Sequence, residues 1–261
     1  MKTVFPVTPC EFASMKFLKI FRLLLLAFCF VILDGKAGFC SLPQVQTVNL
    51  KDSQTGQTFQ ALFAHPQPGE RILPVVIYIH GKIVETVGVK KAKLLGYDLE
   101  AFVTVLSEAG YAAIAPIRSS DTSFPALSRA TLDYLRQRTD IEGSLIALIG
   151  FSKGGAYALE SSYRIPSLKA VVAMSPAMND PPFTDEEIRR IQVPLLITLG
   201  KKEFKGDLGR KVQNAVDLLN ASGKQVEYRK DYPGDHQWFW KVRPEYWKDV
   251  LAFIDKHMKE G

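Results

Sequence analysis

The chain has 261 residues, enough for one well-cored domain. Hydrophobic residues make up 47% of it and charged residues 23%, a globular composition that excludes a disordered chain. The formal net charge is +6, but the first forty residues hold five bases against two acids, so the remainder keeps only a weak basic bias and gives no ground for a nucleic-acid partner.

Those first forty residues read as a leader. Lys16, Lys19 and Arg22 form a basic flank, Leu23 to Leu33 is an uncharged apolar run, and Asp34 to Phe39 supplies small and polar residues. This is the three-part pattern of a secretory signal peptide, with a run too short to cross a bilayer, which takes about 20 apolar residues. Met15 is a candidate true start, and Gly35, Ala37, Gly38 and Cys40 are candidate cleavage or acceptor positions. Lipidation of Cys40, a retained membrane anchor and a buried N-terminal helix are the alternatives. The expectation is an exported protein, periplasmic or secreted, that meets the membrane only through the leader before cleavage. Its cysteines are Cys10, Cys29 and Cys40, so residues 41–261 contain no disulfide framework, thiol nucleophile or zinc-thiolate site.

Beyond the leader, Gln46 to Leu50 and Phe59 to Phe63 flank the turn-rich stretch Asp52–Gly56 and read as a hairpin. Six short apolar runs follow, at Val75–Ile79, Ala112–Ala115, Leu145–Ile149, Ala170–Met174, Leu195–Leu199 and Val226–Tyr228. Most are continuous rather than alternating, as in strands buried on both faces of a parallel sheet. Between them lie stripes with helical spacing. Leu99, Phe102, Val103 and Leu106 follow the candidate N-cap Asp98 and stop before Gly110. Leu208, Val212, Ala215, Val216 and Leu219 make a second stripe, and Trp247, Val250, Leu251 and Ile254 a third after Pro244. The alternation predicts an α/β fold with a mostly parallel sheet of about eight strands and helices on both faces. Functional groups in such sheets gather at the carboxyl ends of the strands. Lys82–Tyr97 is long for a strand–helix connection and is expected to cover the pocket. Ala177–Arg190 is expected to form at most a small lid, too short for a full cap domain.

The sharpest chemical signal is Gly150-Phe151-Ser152-Lys153-Gly154-Gly155, entered from an apolar strand and followed by a helical pattern. This is G-x-S-x-G in a strand–turn–helix context, where the turn lifts the serine hydroxyl above the sheet. Glycines at 150 and 154 remove side chains that would collide across that turn. A serine hydroxyl needs a base. Of the four histidines, His65 and His257 read as surface residues, and His80 ends a strand beside Gly81. His236 combines a late position with a loop after the last strand, and is the expected base. The base needs a carboxylate. Glu203 is the first acid past the strand ending at Leu199, and Asp207 and Asp180 are its competitors. Asp207 is expected to cap the helix beginning at Leu208. The order Ser152, Glu203, His236 is the order of this type of site. Oxyanion donors are expected at the backbone N–H of Lys153 and of Lys82 or Ile83. Lys153 and Arg118 are candidates for binding an acidic group of the substrate, with a solvent-facing orientation as the alternative.

These features resemble the α/β-hydrolase superfamily and, within it, the dienelactone hydrolase-like group. The resemblance covers nearly all of residues 45–258 and is carried by YIHG at 78–81, GFSKGG at 150–155, VPLLITLGKKE at 193–203 and YPGDHQWF at 232–239. It implies an eight-stranded sheet, no cofactor and no metal, and hydrolysis of a small-molecule acyl substrate, an ester or thioester, through an acyl-enzyme. Two departures from the group stand out: Ser152 takes the place of a cysteine nucleophile, and Glu203 that of an aspartate. A peptidase on the same fold and a non-catalytic hydrolase-fold binding protein are the competing functions.

Overall fold

The structure, a computed structural model, describes residues 43–66 and 72–259. The leader, its cysteines and the candidate cleavage positions lie outside the described residues. Leu42–Gly261 forms one compact unit.

Antiparallel strands β1 (Val45–Lys51) and β2 (Thr58–Ala64) open the fold. β2 also pairs antiparallel with β4 (Ala112–Pro116). From there β3 (Leu73–Ile79), β5 (Ile141–Phe151), β6 (Leu168–Met174), β7 (Leu195–Gly200) and β8 (Val226–Tyr232) run parallel. The order across the eight-stranded sheet is β1-β2-β4-β3-β5-β6-β7-β8. The expected mostly parallel α/β architecture is what the chain adopts.

The side-chain period of two sends neighbours on each strand to opposite faces. Val75, Ile77 and Ile79 of β3 and Ile197 and Leu199 of β7 meet one layer of helices. These are α3 (Phe124–Arg136), α4 (Lys153–Arg164), α5 (Asp185–Arg190) and α7 (Asp207–Ala221), which contribute Leu127, Leu159, Ile188 and Val212. Val76 and Tyr78 of β3 and Leu196 of β7 face the other layer. It comprises α1 (Lys82–Leu94), α2 (Leu99–Glu108) and α8 (Pro244–Lys259), through Val84, Phe102 and Ile254 among others. Burial on both faces is why these strands read as unbroken apolar runs. Asp98 caps α2 by accepting from the Glu100 N–H at 3.1 Å.

The helices add to the sequence reading in three places. Residues 82–94 are not a covering loop but helix α1, whose pattern is interrupted at Gly88 (φ 79°, ψ 162°). α3 has no counterpart among the stripes read from the sequence. Within 177–190, α5 is a capped helix anchored to the core by buried Ile188. Among the described residues no helix is long and apolar enough to cross a membrane.

Candidate active site

The register sets the site. Gly150 pairs with Ile79 and Ala173, Met174 with Thr198, and Gly200 with Tyr232, so the carboxyl ends of β3 and β5 to β8 reach one edge together. Ser152 sits at the turn from β5 into α4 with φ 56° and ψ −118°, a region that non-glycine residues rarely occupy. A Cβ on Gly150 would lie 2.0 Å from the Gly154 carbonyl oxygen, and one on Gly154 2.0 Å from that of Ile79. The turn therefore closes only with glycine at both positions.

His236 opens a short 3₁₀ helix (His236–Trp240) after β8. Its Nε2 lies 2.9 Å from Ser152 Oγ, and its Nδ1 lies 2.7 Å from Glu203 Oε1. Glu203 belongs to a one-turn helix, α6 (Lys201–Phe204), directly after β7. Its other oxygen accepts from the Gly200 N–H at 3.2 Å, which fixes the side chain, and the carboxylate is 6% exposed. The Gly234 carbonyl accepts from the Lys202 N–H at 3.2 Å, bringing the loops of the acid and the histidine together. The Phe151 ring lies 4.9 Å from the imidazole. An imidazole that donates its Nδ1–H to Glu203 presents Nε2 to Ser152 Oγ as an acceptor.

The competing acids are elsewhere. Asp207 is the first residue of α7, not its N-cap, which is Gly206. Its carboxylate pairs with Arg210 at 2.7 Å and Lys211 at 2.9 Å. Asp180 pairs with the same Arg210 at 2.8 Å. Asp235 accepts from the Trp238 N–H and so caps the 3₁₀ helix.

One residue of the site escaped sequence reading. Ser175, fully buried at the end of β6 with φ 46°, donates to Glu203 Oε1 and lies 2.8 Å from His236 Nδ1. The carboxyl-edge rule that selects Glu203 also covers Ser175, the first residue past β6.

Lys82 and Lys153 are the first residues of α1 and α4. N–H groups at that position have no intrahelical acceptor and carry the positive end of the helix dipole. Gly81, before Lys82, packs against the elbow: a Cβ there would lie 3.4 Å from that of Ser152. Ile83, the other candidate donor, is the second residue of α1.

Arg118 and Lys153, the candidates for an acidic group of the substrate, share one partner within the protein, Glu85. Arg118 is 2% exposed rather than solvent-facing, and its Nε donates to Glu85 Oε1 at 2.7 Å, while its Nη1 has no hydrogen-bond partner among the described residues. Lys153 Nζ donates to Glu85 Oε2 at 2.8 Å. Glu85 had no signal in the sequence, lying in a segment read as a loop. The other histidines keep away from the serine. His80 is fully buried, its Nε2 accepting from the Arg118 N–H and its Nδ1–H donating to the Gly81 carbonyl, each at 2.9 Å. Burial first, and the Arg118 charge second, push its pKa down to about 3. His65 and His257 are partly buried rather than on the surface; His65 pairs with Asp140, and His257 packs against Phe253.

Beside Lys153 a groove of about 280 Å³ runs along α4, lined by Tyr157, Glu160, Tyr163, Met178 and Phe183. Among the described residues no group of three His, Cys, Asp or Glu side chains is placed to hold a metal ion.

No curated protein sequence matches the chain. Among solved structures, a dienelactone hydrolase-like promiscuous phosphotriesterase from metagenomic libraries is similar, with a TM-score of 0.66 at 16% identity over 83% of this chain and 99% of the other. The esterase Est22 gives 0.62 at 15% over 95% and 91%. The acylaminoacyl peptidase of Pyrococcus horikoshii gives 0.64 at 14% over 86% of this chain and 44% of that one. At such identities the likeness is one of fold. The sequence itself matches the family model over residues 118–249, a stretch that runs from the exit of β4 through Ser152, Glu203 and His236 into α8. With half of the chain so matched, this protein is a hydrolase that belongs to the dienelactone hydrolase family.

Proposed function

We propose that the protein is a serine hydrolase that cleaves a carboxylic ester or thioester through an acyl-enzyme. The observation that carries this reading is the chain Ser152 Oγ, His236 Nε2 at 2.9 Å, His236 Nδ1, Glu203 Oε1 at 2.7 Å. Ser152 Oγ attacks the substrate carbonyl while His236 Nε2 takes the hydroxyl proton. The oxyanion of the tetrahedral intermediate accepts from the N–H groups of Lys82 and Lys153, at the positive ends of two helices. Collapse breaks the bond to the alcohol or thiol, which leaves with the proton from His236. Water, deprotonated by the same nitrogen, then attacks the acyl-serine and releases the acid. Glu203 holds the imidazole tautomer and stabilises its cation, and Ser175 holds Glu203. The groove along α4 takes one arm of the substrate. An exported location fits the leader pattern.

The test is covalent labelling by a fluorophosphonate. Wild-type protein should label at Ser152 and Ser152→Ala should not, with unchanged circular dichroism. Full labelling of Ser152→Ala removes the nucleophile assignment. A panel of acyl esters of varied chain length and charge then gives the specificity.

A further inference from the structure

The turn from β3 into α1 is enclosed by a buried polar network that the acyl-transfer steps above do not use. Glu85 is at its centre. Its side chain is 4% exposed, and its two oxygens take Arg118 Nε and Lys153 Nζ at 2.7 and 2.8 Å. Arg118 binds the other side of the turn: its N–H donates to His80 Nε2 at 2.9 Å and its Nη2 to the His80 carbonyl. His80 in turn donates to the Gly81 carbonyl. Three segments thus meet on one carboxylate, α1, the exit of β4 and the start of α4, and Arg118 joins the exit of β3 to them.

Two further facts give the network a task. The break at Gly88 means that the first turns of α1 do not inherit their direction from the rest of the helix. They are held by buried Val84 and by Glu85. An ammonium at the N-terminus of α4 opposes the helix dipole, and the Glu85 carboxylate offsets it. An ion pair this deep adds little net stability over apolar packing, so geometry is the better account of it.

We propose that Glu85 is a positioning residue of the oxyanion hole: by tying Lys153 and Arg118 with one carboxylate, it fixes the first turn of α1 against the elbow and so sets the spacing between the N–H groups of Lys82 and Lys153. This rests on the reading of Ser152 as nucleophile and of those N–H groups as donors. It also assigns both cations a partner within the protein.

The test is Glu85→Gln, which keeps the volume but turns one acceptor into a donor facing a cation. Each protein is titrated with a fluorophosphonate, and rates are expressed per titrated site. With p-nitrophenyl acetate, kcat and kcat/KM should fall together by about 10–100-fold, the scale of a misplaced or lost oxyanion donor. Affinity for an aryl trifluoromethyl ketone, whose hemiketal oxyanion occupies the same hole, should fall by a similar factor. Lys153→Met keeps the backbone N–H and removes only the ammonium, and should lower both quantities too. Unchanged kcat/KM per titrated site in Glu85→Gln, or a loss matched by fewer titratable sites, overturns the proposal. If Glu85→Gln does not fold, Lys153→Met decides: wild-type turnover and inhibitor affinity overturn it. Failure of the underlying reading looks different, since wild-type protein would then not label at Ser152.

Discussion

His80 and Glu203 lie at the same sheet edge, in different surroundings. His80 is sealed with one nitrogen accepting and the other donating, and its pKa is pushed down to about 3. The unfolded chain takes up a proton near pH 6.5 that the folded chain refuses, so the sign is fixed. The stabilising contribution is complete above pH 6.5 and is lost as pH falls from there towards 3, at about 1.4 kcal/mol per pH unit. Urea unfolding at pH 8, 6 and 5 should show that loss in wild type and a flatter profile in His80→Gln, which keeps an acceptor for the Arg118 N–H. Equal slopes would refute the buried neutral imidazole. Glu203 is proposed to act through His236, whose Nδ1 lies 2.7 Å from its Oε1. Glu203→Gln leaves the Nδ1–H tautomer without its carboxylate, and kcat should fall on the order of 10⁴-fold with the fold intact. Asp207→Asn loses only surface pairs with Arg210 and Lys211 and should leave kcat unchanged. Steady-state kinetics on one ester separates the two, and the reverse pattern would move the acid to Asp207.

At the scale of elements, the elbow is a contact between backbones. A Cβ on Gly154 would lie 2.0 Å from the Ile79 carbonyl oxygen, so Gly154→Ala must push α4 off β3. The expected destabilisation is about 1–3 kcal/mol by urea denaturation, with loss of labelling at Ser152. Gly143, within β5, has nothing within 4 Å of the Cβ position, and Gly143→Ala should change stability by less than about 0.5 kcal/mol. The same contrast explains what the sequence made legible. His236 follows the short Val226–Tyr228 run of β8, while Ser152 and Glu203 each follow a strand whose apolar run is unbroken, and local pattern locates such strand ends. Ser175 follows one as well, but a lone serine after Met174 has no motif around it. α1 was hidden because Gly88 breaks its period, and α3 because its buried face is built partly of Ala126 and Ala130, which make a weak apolar signal. Glu85 was illegible for a different reason. Its partners at 118 and 153 are distant in sequence, and only the assembled sheet brings them together. Arg118 and Lys153, read as candidates for an acidic group of the substrate, both meet Glu85 through that tertiary contact.

For the molecule as a whole, the question is how much of the chain the hydrolase needs. Leu42–Gly261 holds all eight strands, both helical layers and every residue of the proposed site. It also holds none of the cysteines, so its stability rests on the core alone. A protein begun at Leu42 should therefore melt within a degree or so of the full chain, label at Ser152, and be indifferent to reducing agent. The leader pattern carries the matching expectation for the native host. Its basic flank ends at Arg22, its apolar run at Leu33, and small residues follow at Gly35, Ala37 and Gly38. Processing at such an exit would release a chain that begins between Gly38 and Leu42, just ahead of β1 at Val45. Intact-mass measurement and N-terminal sequencing of protein from the host read the outcome directly. A start in that window with no added mass fits a processed leader. The mass of a diacylglyceryl group on Cys40 would make the protein lipid-anchored. Retention of residues 15–33 would make the apolar run an anchor rather than a signal.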